Sequence, residues 1–303
     1  MRWRLSIRRS CWRVYRVSFE AVTVAALLGD AAQRLATVLG LDSRTARIEA
    51  RALAAHVLKV EPVWLLAHDT DIPNAAGRAD FRGLLERRLA GEPIAYLTGW
   101  REFYGHALRV TPDVLIPRPE TELLVERALA RIPLNTGYDV LELGCGSGCI
   151  AISLALERPR ARITAIDCSA AALDIARGNA DRLHASVEFL TSHWYSGLDG
   201  RQFDMIVANP PYVVSDDWHL AQGDVRYEPL GALASGIDGL DALRHIVEGA
   251  HLFLRPQAYL LLEHGYDQAE AVRALLASAG MASIETWPDM AGVLRVSCGK
   301  VSA

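Results

Sequence analysis

The 303-residue sequence predicts an α/β protein: a seven-stranded, mostly parallel sheet wrapped by helices, preceded by a small helical bundle. Three observations lead there. From residue 139 onward, apolar runs of strand length (139–143, 162–166, 186–189, 203–208 and 258–262) alternate with helical stretches (149–157, 170–182, 240–254 and 267–279). That alternation builds parallel strand–helix–strand units. Two late runs, 282–287 and 293–298, read as an edge hairpin that completes the seven strands, whereas residues 19–89 carry helical spacing.

Taken in order, residues 1–18 are expected to be a basic extension, disordered or lying upstream of a true start near Val17. Between Phe19 and Gly91 four helices are expected, forming a small bundle with no catalytic motif inside it. Val22, Ala25, Leu27, Leu28, Ala32, Leu35, Val38 and Leu39 mark the first, which Gly40 ends. Asp42 or Ser43 caps the second, which runs to about Lys59; Pro62 opens a short third with Trp64 and Leu65. The fourth spans roughly Ala75 to Leu89. Residues 92–118 read as a linker with a hairpin, its strands at 102–105 and 108–110, punctuated by Pro112 and Pro117. A helix from Glu120 to Arg131 then opens the second domain, 119–303.

Charge narrows the function classes. Arg2, Arg4, Arg8, Arg9, Arg13 and Arg16 stand in a segment without acids, so beyond them 26 basic face 36 acidic residues, a net −10. Binding a phosphate backbone usually needs a basic face that releases counterions, so this acidic body argues against a nucleic-acid substrate. Five scattered cysteines, Cys11, Cys145, Cys149, Cys168 and Cys298, suit free thiols in a reducing compartment better than a disulfide framework. No second Cys/His pair accompanies Cys145 and Cys149, so no metal site is expected. No apolar run reaches the ~20 residues that span a bilayer, and the Arg-rich start lacks a signal peptide's apolar core. We therefore expect a cytoplasmic, monomeric protein without membrane contact.

The first motif is Val140-Leu141-Glu142-Leu143-Gly144-Cys145-Gly146-Ser147-Gly148, a buried strand entering a glycine turn. Glycine lets a ligand approach the main chain, and open parallel sheets bind ligands at the carboxyl ends of their strands. The next strand ends in Asp167, which can accept from both ribose hydroxyls. A dinucleotide is the alternative ligand, but Cys149 occupies the third-glycine position of that fingerprint. A nucleoside needs no pyrophosphate cradle, and the negative Glu142 suits a sulfonium with an aminoacyl tail. S-adenosylmethionine is the favoured cofactor.

The second motif, Asn209-Pro210-Pro211-Tyr212, follows the strand 203–208 directly. Neither proline has an N–H to give a ladder, so the strand ends there, at the same edge of the sheet. An amide nitrogen is a poor nucleophile because its lone pair is delocalised. The Asn209 side-chain oxygen and the Pro210 carbonyl can accept both its N–H bonds and stabilise positive charge as it develops. Tyr212 can stack on the flat amide. No strong base is needed, so His219 and His264 read as structural histidines. Taken alone, the tetrapeptide could be a plain strand-ending turn; beside the glycine turn and Asp167 it reads as an active site.

Glu142 to Gly148, Asp167 and Asn209 to Tyr212 together resemble the signature of class I (Rossmann-like) methyltransferases acting on planar amino groups. Gly91 to Gly99, Arg101 to Tyr104, Leu115 to Glu122, Gln222 to Pro229 and Leu261 to Gly265 are similar to the peptide chain release factor glutamine methyltransferase family. The resemblance runs from about Phe19 to Gly299. It implies methyl transfer from S-adenosylmethionine to the glutamine of the Gly-Gly-Gln motif of class I release factors. It further implies cofactor contacts at Gly144, Cys145, Gly146, Ser147, Gly148, Asp167, Trp194 and Asn209. Asn209, Pro210, Pro211 and Tyr212 would hold the glutamine, with Phe103 and Arg118 as pocket walls. A buried core position is the alternative for Trp194. Cys145 stands where the family commonly has Thr, and His193 stands before Trp194 where it commonly has Asp; the latter is expected to alter adenine-side contacts.

Two rival substrates remain. A sister enzyme acting on a large-subunit ribosomal protein tends to read Pro-Arg-Ser-Pro where this chain has Pro117 to Glu122. A DNA adenine methyltransferase shares the Asn-Pro-Pro-Tyr logic but needs a basic cleft and a target-recognition domain. A helical adaptor without catalysis would require a broken glycine turn, and this turn is intact.

Overall fold

The computed structural model describes residues 22–198 and 200–302, so the basic extension expected at 1–18 lies outside the described residues. The chain divides into two compact units between Leu85 and Glu86. The division falls earlier than Gly91 because Arg87 and Arg88 bond within the second unit, to Glu92 and Asp224.

The first unit is helical. Helix α1 (Val24–Leu39) starts where Thr23 accepts from the Ala26 N–H, and ends at Gly40. Helix α2 (Ser43–Leu58) is capped by Asp42, which accepts from Arg44 and Thr45. Val24, Leu27, Ala31 and Leu35 of α1 pack toward Ala46, Ala50, Leu53 and Ala54 of α2. Burying Leu35 and Leu53 contributes about 1.5–3 kcal/mol each. Helix α3 (Trp64–Ala67) is a single turn, and α4 (Ala75–Leu89) runs across the division. Among the described residues no helix is long and apolar enough to cross a membrane.

The second unit opens with α5 (Ile94–Thr98), inside the stretch expected to be a linker. The hairpin pairs β1 (Trp100–Phe103) with β2 (His106–Arg109). Both strands begin two residues before the expected positions, because Tyr104 and Gly105 (φ 50° and 74°) make the two-residue turn rather than lying in a strand. The expected helix at 120–131 is a 3-10 turn (Pro119–Thr121) followed by α6 (Glu122–Leu129).

The main sheet comprises β3 (Asp139–Leu143), β4 (Arg162–Asp167), β5 (Val187–Thr191), β6 (Phe203–Ala208), β7 (Leu254–Glu263), β8 (Ala282–Pro288) and β9 (Leu294–Lys300). Its order is β5-β4-β3-β6-β7-β9-β8. All neighbours are parallel except β9, which is antiparallel to both β7 and β8. The connecting helices are α7 (Cys149–Glu157), α8 (Ala170–Leu183), α9 (Asp241–Phe253) and α10 (Ala269–Ser278). Val140, Met205 and Val207 face one core with α7 and α8, while Leu141, Ile206 and Ala208 face another with α9 and α10. Both sheet faces are therefore buried, which is why these strands read as unbroken apolar runs. The strand order reverses between β3 and β6, and that reversal opens a crevice at their carboxyl ends.

Candidate active site

The register of the sheet brings the two motifs together. Leu143 pairs with Ala208, so Gly144 and Asn209 leave neighbouring strands side by side. Asp167 leaves β4 next door, since Leu143 also pairs with Ile166. Gly144, Gly146, Asp167, Trp194, Asn209, Pro210 and Pro211 line one cavity of about 300 Å³, with His193 at its wall. A second cavity, of about 40 Å³, shares Gly144, Gly146 and Asn209 with the first and adds Cys145, Ser147, Arg118 and Thr121.

The glycine turn takes three left-handed residues, Gly144, Gly146 and Gly148 (φ 73°, 53° and 81°). A Cβ on Gly148 would stand 3.1 Å from that of Ala176, so only glycine lets α7 start this close to α8. Gly148 is also the N-cap of α7 and has no side chain to satisfy the helix's free N–H groups. Glu142 fills that role instead, accepting from the Ala151 N–H at 2.8 Å. Its carboxyl is fully buried, and that burial pushes its pKa up to about 8. Burial thus holds Glu142 toward its neutral form, against the negative charge expected there, while its carboxyl both caps the helix and lines the smaller cavity.

Asp167 holds the turn from the other side. One carboxylate oxygen accepts from Gly146 N–H and the other from Ser169 N–H, both at 2.9 Å. Each oxygen keeps acceptor capacity beyond one bond, so the group can still receive ribose hydroxyls. Trp194 takes φ 52°, and its ring would lie 3.9 Å from a Cβ on Gly144, forming an aromatic wall beside the turn. Ser192 secures this wall by donating to the Trp194 carbonyl.

The Asn209 carboxamide is oriented. Its nitrogen donates to the Thr121 hydroxyl at 3.1 Å, which leaves the oxygen as the atom to accept from a ligand. The following turn is tied down by Gln268, which donates to the Tyr212 carbonyl at 3.0 Å. Gly239 passes so close that a Cβ there would meet that carbonyl at 2.4 Å. Arg118, in the smaller cavity, is ion-paired with Glu228, whose other oxygen accepts from Ile116 N–H.

Several expected residues sit elsewhere. Cys145 and Ser147 line only the smaller cavity, and Gly148 lines neither. Burial raises the Cys145 thiol well above its ordinary value. Phe103 is 1% exposed in the core and lines neither cavity, because the hairpin turns its ring inward. Tyr212 also lines neither: its ring packs on the α9/α10 side, and its hydroxyl donates to Glu263 at 3.4 Å. His219 is exposed and pairs with Asp217, while His264 is buried between Ser297 and the Gly265 carbonyl, so both are structural. The four described cysteines are free thiols.

Sequence reasoning missed Thr121, Glu263, Gln268 and Gly239, and the cavity walls at Asp113, Val114, Leu115, Pro229, Gly231 and Ala232. Thr121 and Glu263 did lie inside the stretches that resembled the family, and that was the available signal.

A family model described as the PrmC N-terminal domain matches residues 26–99, and one described as the methyltransferase small domain matches residues 119–223. The chain is 54% identical over 259 residues to the release factor glutamine methyltransferase of Bordetella pertussis, covering 85% of this chain and 96% of that one. It is 51% identical over 261 residues to the protein of the same name from Burkholderia pseudomallei, covering 84% and 92%. A methyltransferase from Pyrococcus furiosus shares the fold, with a TM-score of 0.50 at 18% identity, over 72% of this chain and 98% of that one.

Proposed function

The chain belongs to the release factor glutamine methyltransferase family, and from that premise we propose how its cavity serves the reaction. The protein methylates the side-chain amide nitrogen of a release factor glutamine, that of the Gly-Gly-Gln motif. The cofactor is S-adenosylmethionine, held by Asp167 at the ribose, by Trp194 beside the adenosine and by the main chain at Gly144 and Gly146. The cavity fits it: about 300 Å³, largely apolar walls, and the Asp167 carboxylate with acceptor capacity to spare. When bound, it supplies a methyl group on a positively charged sulfur.

The protein's own residues prepare the nitrogen. Asn209 Oδ1 and the Pro210 carbonyl accept its two N–H bonds, orient it, and stabilise the positive charge that grows as the new bond forms. Gln268 and the two prolines keep these acceptors in place before substrate arrives, so little reorganisation is needed. Alignment of this kind contributes up to ~7–11 kcal/mol in well-oriented reactions. The alkylated nitrogen loses its proton readily to water. Arg118, beside Asn209 in the smaller cavity, borders the glutamine. The catalytic unit is a single chain, acting in the cytoplasm where release factors work.

The observation that carries this reading is the Asn209 carboxamide, locked through its nitrogen at the junction of the two cavities. Labelled methyl transfer to a purified class I release factor, a large-subunit ribosomal protein and DNA tests the substrate; only the first is expected to be labelled. Asn209→Ala should bind cofactor normally but turn over at least roughly tenfold more slowly. Undiminished turnover in that variant would remove the role assigned to Asn209.

A further inference from the structure

Glu263 ends β7, one step beyond Leu262, which pairs with Ala208. It therefore leaves the sheet beside Asn209. Its side chain is fully buried: Oε1 accepts from the Tyr212 hydroxyl, and Oε2 is sealed from water with no hydrogen-bond partner among the described residues. The neighbouring Thr121 hydroxyl favours the ionised carboxylate, and the same hydroxyl accepts from Asn209. A buried carboxyl with no salt-bridge partner among the described residues, beside the reaction centre, is costly to keep unless it does something.

We propose that Glu263 is a positioning residue that, through the Thr121 hydroxyl, decides which way the Asn209 carboxamide faces. The proposal rests on the role of Asn209 given above. A carboxylate can only accept. Thr121 then gives its single proton to Glu263, and toward Asn209 its oxygen can only accept. That selects the Asn209 nitrogen as its partner and leaves Oδ1 for the substrate N–H. A protonated Glu263 donates to Thr121 instead, and the Thr121 proton is released to point at Asn209. The carboxamide then has a competing flipped orientation, presenting N–H groups to the substrate's own N–H groups.

The surroundings place this choice within reach of ordinary pH. Burial pushes the carboxyl up to about 7; Glu120 acts in the same direction, while Thr121, Tyr212 and Arg295 oppose it. Cys149 of α7 also feels its charge, and Arg118 acts on Tyr212. His264, next in the chain, is held toward its neutral form by burial. A raised carboxyl means the ionised, orienting form gains population as pH rises through about 7, so turnover rises over the same range.

The test compares pH profiles of wild type and Glu263→Gln using the full chain and a purified release factor. The substitution keeps the shape of the side chain but removes its ionisation. We expect kcat to fall roughly tenfold, the lower end for losing an orienting partner, with cofactor affinity and KM little changed. The acidic limb near pH 7 disappears. Thr121→Val should lose as much, Thr121→Ser should recover turnover relative to it, and the Glu263→Gln/Thr121→Val double variant should fall no further than either single one. If Asn209→Ala is impaired as expected but Glu263→Gln retains wild-type kcat and its acidic limb, or the two losses multiply, this proposal fails alone. If Asn209→Ala is unimpaired, the reading of the site fails with it.

Discussion

Glu142 lies at the end of β3 with its carboxyl shut away from water, serving the first turn of α7 in place of the side chain Gly148 lacks. Its folded pKa, about 8, stands above the unfolded value of about 4.5, so between those pH values the folded state binds more protons than the unfolded one. Stability from this group is therefore full below about pH 4.5 and is lost as pH rises through about 8. Glu142→Gln, which still accepts from Ala151, should flatten that decline and melt later than wild type near pH 9. The gain is roughly 2–4 °C per kcal/mol, read from thermal melts across pH 5 to 9. Parallel melting curves at all pH values would show that the carboxyl is not neutral in the fold. Such assignments divide what a motif makes legible from what it hides. The glycines and Asp167 mark the proposed nucleoside turn by type and spacing alone. Which way each side chain faces is not written there: Cys145 and Ser147 turn toward the smaller cavity, and Tyr212 and Phe103 turn into the core.

Among the elements, α8 links the hairpin to the glycine turn through one side chain. Asn179 is buried, accepts from the Arg109 N–H, and donates to the carbonyls of Arg109 and Ser147. Asn179→Ala strands three backbone groups, each costing about 1–3 kcal/mol if left unsatisfied. Denaturant unfolding should show a clear loss of stability, and calorimetric titration a weaker affinity for S-adenosylmethionine, because the turn is no longer held at Ser147. Wild-type values in both would discard this linkage. The helices and parallel strands were legible because their periodicities are local and their caps, Thr23 and Asp42, are good N-cap residues. The hairpin was misplaced by two residues because its turn, Tyr104-Gly105, places a bulky aromatic at φ 50°. Only the cross-strand register reveals that turn. Helix α5 is a single short turn between prolines and glycines, too brief to show a helical period.

For the whole molecule, every cavity-lining residue at the proposed site belongs to the unit from Glu86 onward. S-adenosylmethionine at a hundredfold excess over its Kd should stabilise that unit by about 2.7 kcal/mol. That corresponds to a rise in its calorimetric midpoint of roughly 5–10 °C. Asp167→Ala should abolish most of the rise; an undiminished shift in that variant would move the cofactor elsewhere. The strand–helix alternation, the helical first unit, the two motifs and the family they resemble can all be read along the chain. Each of these is carried by residues close together in the chain. That Asn209 meets Thr121, 88 residues away, and Tyr212 meets Glu263, 51 residues away, emerges from the folded sheet alone. Those meetings depend on strand order and register, which follow from burying both faces of one sheet at once, and no local pattern encodes them.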